Sequence, residues 1–153
     1  VFVGDGDYRE MLERELAEEI ECGKVEVVGW VDREEVPEQL NRIRLQVVPS
    51  HPTEGLPTAI LEGMACGTPA YATPVSGVPD VVREGETGFL MQDVDETTIA
   101  AEIEGILERD ELDEVSRDAR ELIEAEYSFA GAVERWRGIL TAVSSVGRSS
   151  VNA

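Results

Sequence analysis

Residues 47–69 read VVPSHPTEGLPTAILEGMACGTP. Val47-Val48-Pro49 ends an apolar strand, the polar run from Ser50 to Gly55 is a loop, and a helix follows. Pro57 suits the first turn of that helix, and Gly67 and Pro69 close it. Strand, loop and helix in this order form the unit of parallel α/β proteins, whose ligands bind outside the carboxyl ends of the strands. The loop here crosses that edge. Leu56 has no side-chain oxygen with which to cap the helix. The first-turn N–H groups are therefore left to solvent or an anion, and the helix dipole favours a phosphate there.

The same alternation extends in both directions. Val1–Gly4, Lys24–Val31, Leu45–Pro49, Ala70–Thr73 and Gly88–Met91 read as strands. Between them, residues 7–21 carry Tyr8, Leu12, Leu16 and Ile20 on one helical stripe, and 33–44 carry Val36, Leu40 and Ile43. Pro79–Arg83 has room for one helical turn. Residues 96–109 and 111–127 are amphipathic helices. Ser128 is a good N-cap for a final helix, along which Phe129, Val133, Trp136, Leu140 and Val143 form an apolar seam. That seam packs on its own domain or docks on a neighbour. The expected fold is α/β, a doubly wound parallel sheet of Rossmann-like type with extra C-terminal helices. It occupies one domain over residues 1–146, with a flexible tail over 147–153.

Composition narrows the function. Of 153 residues, 42% are hydrophobic, enough for a core. Thirty-three acids face thirteen bases, for a net charge of −20. Nucleic acid and anionic membranes both require clustered Lys and Arg, so neither is an expected partner. No apolar run reaches the ~20 residues of a membrane span, and no basic-then-apolar leader opens the chain. The acids are spread along the whole sequence, and Lys24 is the sole lysine. Such charge destabilises a compact state unless salt screens it, so the expected home is a cytoplasm of high salt, with a merely solvated acidic face as the alternative. Cys22 and Cys66 are isolated and His51 is the single histidine, so no metal site is expected.

Two further features bear on chemistry. Val3-Gly4-Asp5-Gly6-Asp7 is a glycine turn after a strand, but Arg9 stands where a dinucleotide fingerprint has its third glycine. Glu54 and Glu62 flank the central turn. Their spacing alone carries no weight, because Glu10/Glu18 and Glu96/Glu104 share it. Their setting is more specific, since the helix around Glu62 is small and apolar and Gly55 allows close backbone approach. A carboxylate there can accept hydrogen bonds from sugar or ribose hydroxyls. Equally, Glu54 can cap a neighbouring amide and Glu62 can simply face solvent.

The run from Pro49 to Pro69 resembles the donor-binding core of the retaining glycosyltransferases of group 1, also called family 4. The likeness continues through Val3-Gly4-Asp5-Gly6 and Val28-Gly29-Trp30-Val31 upstream. Downstream it continues through Ala72–Asp80 and Gly85-Glu86-Thr87-Gly88-Phe89-Leu90. The resemblance implies the C-terminal, donor-binding half of a two-domain GT-B fold. Within it, Glu54 would hold the donor sugar hydroxyls as the catalytic-site carboxylate, and Glu62 the ribose hydroxyls. Gly55, Leu56, Pro57 and Thr58 would offer backbone amides to sugar and diphosphate. Gly4 and Gly6 would form the glycine turn, and Trp30 and Val31 would line the base. The partners implied are a nucleotide sugar and an N-terminal acceptor domain or partner chain, and no metal or other cofactor is implied. The family's arginine and lysine on the diphosphate fall upstream of the glycine turn, outside this sequence. Ser76 replaces the first of two glycines and Asp80 a glutamate. The implied reaction moves a sugar from a nucleoside diphosphate to an acceptor hydroxyl with retention, this chain alone lacking full activity. The alternative is a stand-alone, non-catalytic nucleotide-sugar-binding or docking module. A nicotinamide-dependent dehydrogenase would rest on Gly4-Asp5-Gly6 alone.

Overall fold

The computed structural model describes residues 1–51, 53 and 55–149, with side chains through Val143. Its strands are β1 (Phe2–Val3), β2 (Val27–Gly29), β3 (Gln46–Val48), β4 (Ala70–Ala72) and β5 (Gly88–Leu90). Helices α1 (Arg9–Glu15) and α2 (Ala17–Glu21) connect β1 to β2, and α3 (Val36–Leu40) connects β2 to β3. Helices α4 (Thr58–Ala65) and α5 (Val78–Val81) serve the next two crossovers. Then come α6 (Glu96–Leu107), α7 (Leu112–Leu122), a π-helical turn at Ile123–Tyr127, and α8 (Phe129–Ser149). Every paired strand is parallel, as helical crossovers require.

The single sheet expected from sequence is divided. β1 pairs with β2, and β3, β4 and β5 pair in that order, with no ladder joining the two sets among the described residues. Other expectations shift locally. The first long helix breaks at Leu16, and Tyr8, placed on its inward stripe, is 75% exposed. The 33–44 helix contracts to Val36–Leu40. At the other end, Ser128 does cap α8, its Oγ accepting from the Gly131 N–H at 3.2 Å. The helix continues to Ser149, so residues 147–149 belong to it, and 150–153 lie outside the described residues. The apolar seam of α8 is left open, with Phe129, Trp136, Leu140 and Val143 all exposed. Among the described residues no helix is long and apolar enough to cross a membrane.

The core sits on β4. Ala70 and Ala72 face Ile60, Met64, Val78, Val81 and Leu122, whereas Tyr71 points the other way into Phe89, Ile106, Leu112 and Val115. A parallel strand covered on both faces reads as a continuous apolar run, and Ala-Tyr-Ala does so. The Tyr71 hydroxyl donates to Glu102. Burial, reinforced by that carboxylate, pushes the phenol well above its ordinary range. Thr68 Oγ1 donates to Leu40 O at 2.9 Å, tying the α3 end to the entrance of β4. Ser116 on α7 bonds Gly67 O, closing the turn after α4.

One register contact tolerates no side chain. A Cβ on Gly88 would lie 2.6 Å from Ala70 O and 2.9 Å from Val82 Cγ1. Gly88→Ala should therefore lower unfolding free energy by ~1–3 kcal/mol, the usual cost of overpacking, in a denaturant titration.

Asp95 caps α6, its Oδ1 accepting from Thr97 N at 3.1 Å and Thr98 N at 3.0 Å. Hydrogen bonding to Thr98, first of all, holds this carboxyl below its ordinary value. Its stabilisation is therefore complete above the unfolded-state pKa and is lost as pH falls through the folded one. Asp95→Ala should lower the melting temperature at pH 7, with the gap to wild type closing toward pH 3.

Candidate functional site

Parallel crossovers deliver three loops to one edge, because each strand ends where its loop begins. Gly4-Asp5-Gly6 follows β1, Trp30-Val31 follows β2, and Pro49 to Pro57 follows β3. Gly4, Trp30, Val31, Pro49 and Glu62 line one groove of about 950 Å³. Residues from three separate motifs therefore meet across the sheet edge. Gly6, Leu56, Pro57 and Thr58 do not line this groove, and Gly55 also lies outside it.

The glycine turn is held from within. Gly4 takes φ +132° and donates its N–H to Gly29 O at 2.8 Å. Asp5 Oδ1 accepts from Gly6 N at 2.8 Å, and Asp5 Oδ2 binds Arg9 Nη1 at 3.0 Å. Arg9 Nε in turn reaches Glu13 at 2.8 Å. The Arg9 guanidinium folds over Gly29, which turns at φ +78°, a left-handed conformation that side-chained residues avoid. The residue occupying the third-glycine position thus joins α1 to the end of β2. Asp5 and Arg9 were not legible as a pair from sequence, although their i, i+4 spacing is the signal that finds them.

Trp30 stands 77% exposed directly after that turn. A bare indole at the mouth of a groove offers a large flat apolar surface beside polar loops.

The start of α4 differs in one residue from expectation. The cap is Pro57, extended at φ −60° and ψ 125°, and it cannot serve as a side-chain cap. Ile60 N bonds Pro57 O at 3.1 Å, while the Thr58 and Ala59 N–H groups take no partner among the described residues. The free-amide expectation therefore holds, with Pro57 in the role given to Leu56. Leu56 instead packs on the core cluster, its Cβ lying under Gly77. Gln46 of β3 donates Nε2 to Ala59 O at 3.0 Å, fixing this helix start against the sheet. Glu62, one turn further along, is exposed and faces the groove.

Glu54, the other half of the acidic pair, lies outside the described residues. Upstream of it, Ser50 is tied to β4. Thr73 Oγ1 donates to Ser50 O at 2.9 Å, and His51 Nδ1 lies 3.3 Å from Thr53 Oγ1. Thr73, a strand end in the sequence pattern, also ties Ser50 to β4. Ser76, standing where a glycine was expected, still adopts φ +46°, so the turn keeps its left-handed shape. Among the described residues no three His, Cys, Asp or Glu side chains gather as metal ligands.

Comparison with known proteins gives the family. The sequence profile of the glycosyl transferases group 1 matches residues 1–109. Alpha-D-kanosaminyltransferase of Streptomyces kanamyceticus is 31% identical over 140 residues, 91% of this chain and 36% of that protein. D-inositol 3-phosphate glycosyltransferase of Geodermatophilus obscurus is 44% identical over 66 residues, 43% of this chain and 14% of that protein. Among solved structures, Anabaena Alr3699/HepE in complex with UDP superposes with a TM-score of 0.79 at 21% identity, over 92% of this chain and 40% of that one. Sucrose-phosphate synthase of Thermosynechococcus elongatus gives 0.77 at 27% identity, over 92% and 35%. This chain spans only 36% and 30% of the lengths of two curated relatives. With the profile covering residues 1–109 and a fold shared with GT-B structures, the chain belongs to the group 1 glycosyltransferases.

Proposed function

We propose that this chain is the nucleotide-sugar-binding, carboxyl-terminal part of a retaining glycosyltransferase. In this reading it holds a nucleoside diphosphate sugar while the sugar passes to an acceptor hydroxyl. The observation carrying the reading is the meeting of Gly4, Trp30, Val31 and Glu62 in one groove at the carboxyl edge of the strands. The crystal structure of Anabaena Alr3699/HepE in complex with UDP-glucose supports the choice of ligand class.

The chemistry assigns roles as follows. Glu62 accepts hydrogen bonds from the ribose hydroxyls. Trp30 and Val31 pack against the base, and the glycine turn at Gly4 and Gly6 allows close backbone approach. The Thr58 and Ala59 amides, with Gly55 to Pro57 leading to them, point their dipoles at the diphosphate. As the anomeric bond breaks, negative charge grows on the departing diphosphate, and fixed amides stabilise that charge without reorganising. The acceptor hydroxyl attacks from the leaving-group face and passes its proton to the diphosphate, so configuration is retained. Glu54 orients the donor sugar and is not a nucleophile; its role rests on the family resemblance. No cofactor enters this scheme. An N-terminal acceptor domain or partner chain completes the cleft.

The charge of −20 opposes a diphosphate and suits a cytoplasm of high salt, where screening shortens the reach of that repulsion. In molar potassium chloride, calorimetric titration with uridine, guanosine and adenosine diphosphate sugars should find one that binds selectively. Glu62→Ala should weaken it by about tenfold or more, consistent with the loss of charge-assisted hydrogen bonds. Equal affinity in the two proteins would remove Glu62 from the site.

The chain alone should not turn over at the ~1–10³ s⁻¹ of ordinary enzymes, as radiolabelled sugar transfer would measure. Transfer at those rates would overturn the partial-site reading. A second reading has its own support in the exposed seam of α8. It makes the chain a non-catalytic module that docks through Trp136 and Leu140 and binds no nucleotide in a Glu62-dependent way.

A further inference from the structure

β3 reads Gln46-Val47-Val48, and Gln46 is its one polar side chain. It is half-buried and lines the groove together with Ala59 and Glu62. Its side chain crosses from β3 to α4, where Nε2 donates to Ala59 O at 3.0 Å. The other end of the amide is enclosed. Oε1 is buried with no hydrogen-bond partner, beside Gly63. A Cβ on Gly63 would collide with Oε1 and lie 2.9 Å from Cδ, so glycine alone leaves room for the amide. Gly63 is itself buried, whereas Ala59 and Glu62 are exposed. The amide therefore stands with its oxygen inward and its nitrogen toward the groove.

That orientation does not invert. Ala59 O only accepts, so the NH2 group must face it, and inversion would set two acceptors against each other. Nε2 carries two hydrogens. Ala59 O takes one, and the second has no partner among the described residues. An unpartnered buried acceptor destabilises a fold, and an apolar side chain of the same length avoids it. Stability alone therefore does not explain a glutamine here, nor the glycine that accommodates it inside a helix. On α4, Ala59, Glu62 and Gly63 share one face, as residues three and four apart do. Gln46, seated against Ala59 and Gly63, thus stands beside Glu62. The groove wall carries an N–H donor next to a carboxylate acceptor. A sugar hydroxyl both donates and accepts, so it can engage the two at once.

We propose that Gln46 is a second ribose-reading residue, its Nε2 donating to the hydroxyl whose proton Glu62 accepts. The inference rests on the nucleotide-sugar reading above and adds a residue and a selectivity to it. Glu62 alone accepts from any hydroxyl within reach. Paired with an N–H held in one direction, it selects a hydroxyl at one position. Gly63 gives the amide its seat, so Gln46 and Gly63 act as a unit.

The test is calorimetric titration of the 153-residue chain in molar potassium chloride. The probes are uridine, guanosine and adenosine diphosphates and their 2′,3′-dideoxy forms. Wild type should prefer the ribonucleotide form of the base it binds. Gln46→Met should weaken that ribonucleotide by ~5–10-fold, the size of one hydrogen bond, and leave the dideoxy form unchanged. It should not lower the melting temperature, because the unpartnered oxygen goes with the amide. Gly63→Ala, which evicts the amide, should lose the same preference, and should cost nothing further in a Gln46→Ala background. If Gln46 only braced α4, Gln46→Met would weaken both forms alike, and that result would overturn the proposal. A preference unchanged in Gln46→Met but lost in Glu62→Ala would also overturn it, with the nucleotide-sugar reading left standing. Equal binding of the two forms by wild type would overturn it as well. Wild type that binds none of the six nucleotides would overturn the nucleotide-sugar reading along with it.

Discussion

The structure depends on one strand being small enough to be covered completely. β4 reads Ala-Tyr-Ala, and all three residues are at most 1% exposed. The two alanines let α4 and α5 lie close on one face, while Tyr71 fills the space under α6 and α7 on the other. Gly88 extends the same constraint to β5, where backbone meets backbone without room for a methyl group. Everything carrying the candidate site leaves this layer. Thr73 at the end of β4 holds Ser50, and β3 beside it carries Gln46, which fixes the first turn of α4.

Away from β4 the packing thins. Neither α1 nor α2 buries a residue, and β1 is exposed along its length. The first sheet is held by two strands and by polar contacts around Arg9 more than by a core. Its ion pairs lie at the surface, where each contributes little. The uneven density matches the division of the sheet. The half that has its central strand is buried, and the half facing the groove is not. The residues that line the candidate site sit on both sides of that division, so their spacing is set by how the two halves join.

Much of the site was legible because it rests on local chemistry. Proline and glycine punctuation around α4 marked the strand, loop and helix, and only the cap moved by one residue, from Leu56 to Pro57. The amide-bearing helix start survived that shift because neither residue has an oxygen to offer. The left-handed turn at Ser76 survived the loss of a glycine. The role of Arg9 was not legible, because it arises from Asp5, Glu13 and the bare backbone of Gly29 meeting in space. The inward position given to Tyr8 failed because helical periodicity marks a stripe but not what covers it, and here nothing covers its first turn.

Strand–helix alternation, the location of the candidate site at the carboxyl ends of the strands, and the family can all be read along the chain. These follow from periodicity, turn residues and helix ends, which act over a few neighbours. Which motifs share a groove, that Glu62 faces it, and that no ladder joins β1 to β3 among the described residues emerge only in three dimensions. Strand neighbours are chosen by pairing between segments far apart in the chain, and one strand's residues do not record which edge will be left without a partner.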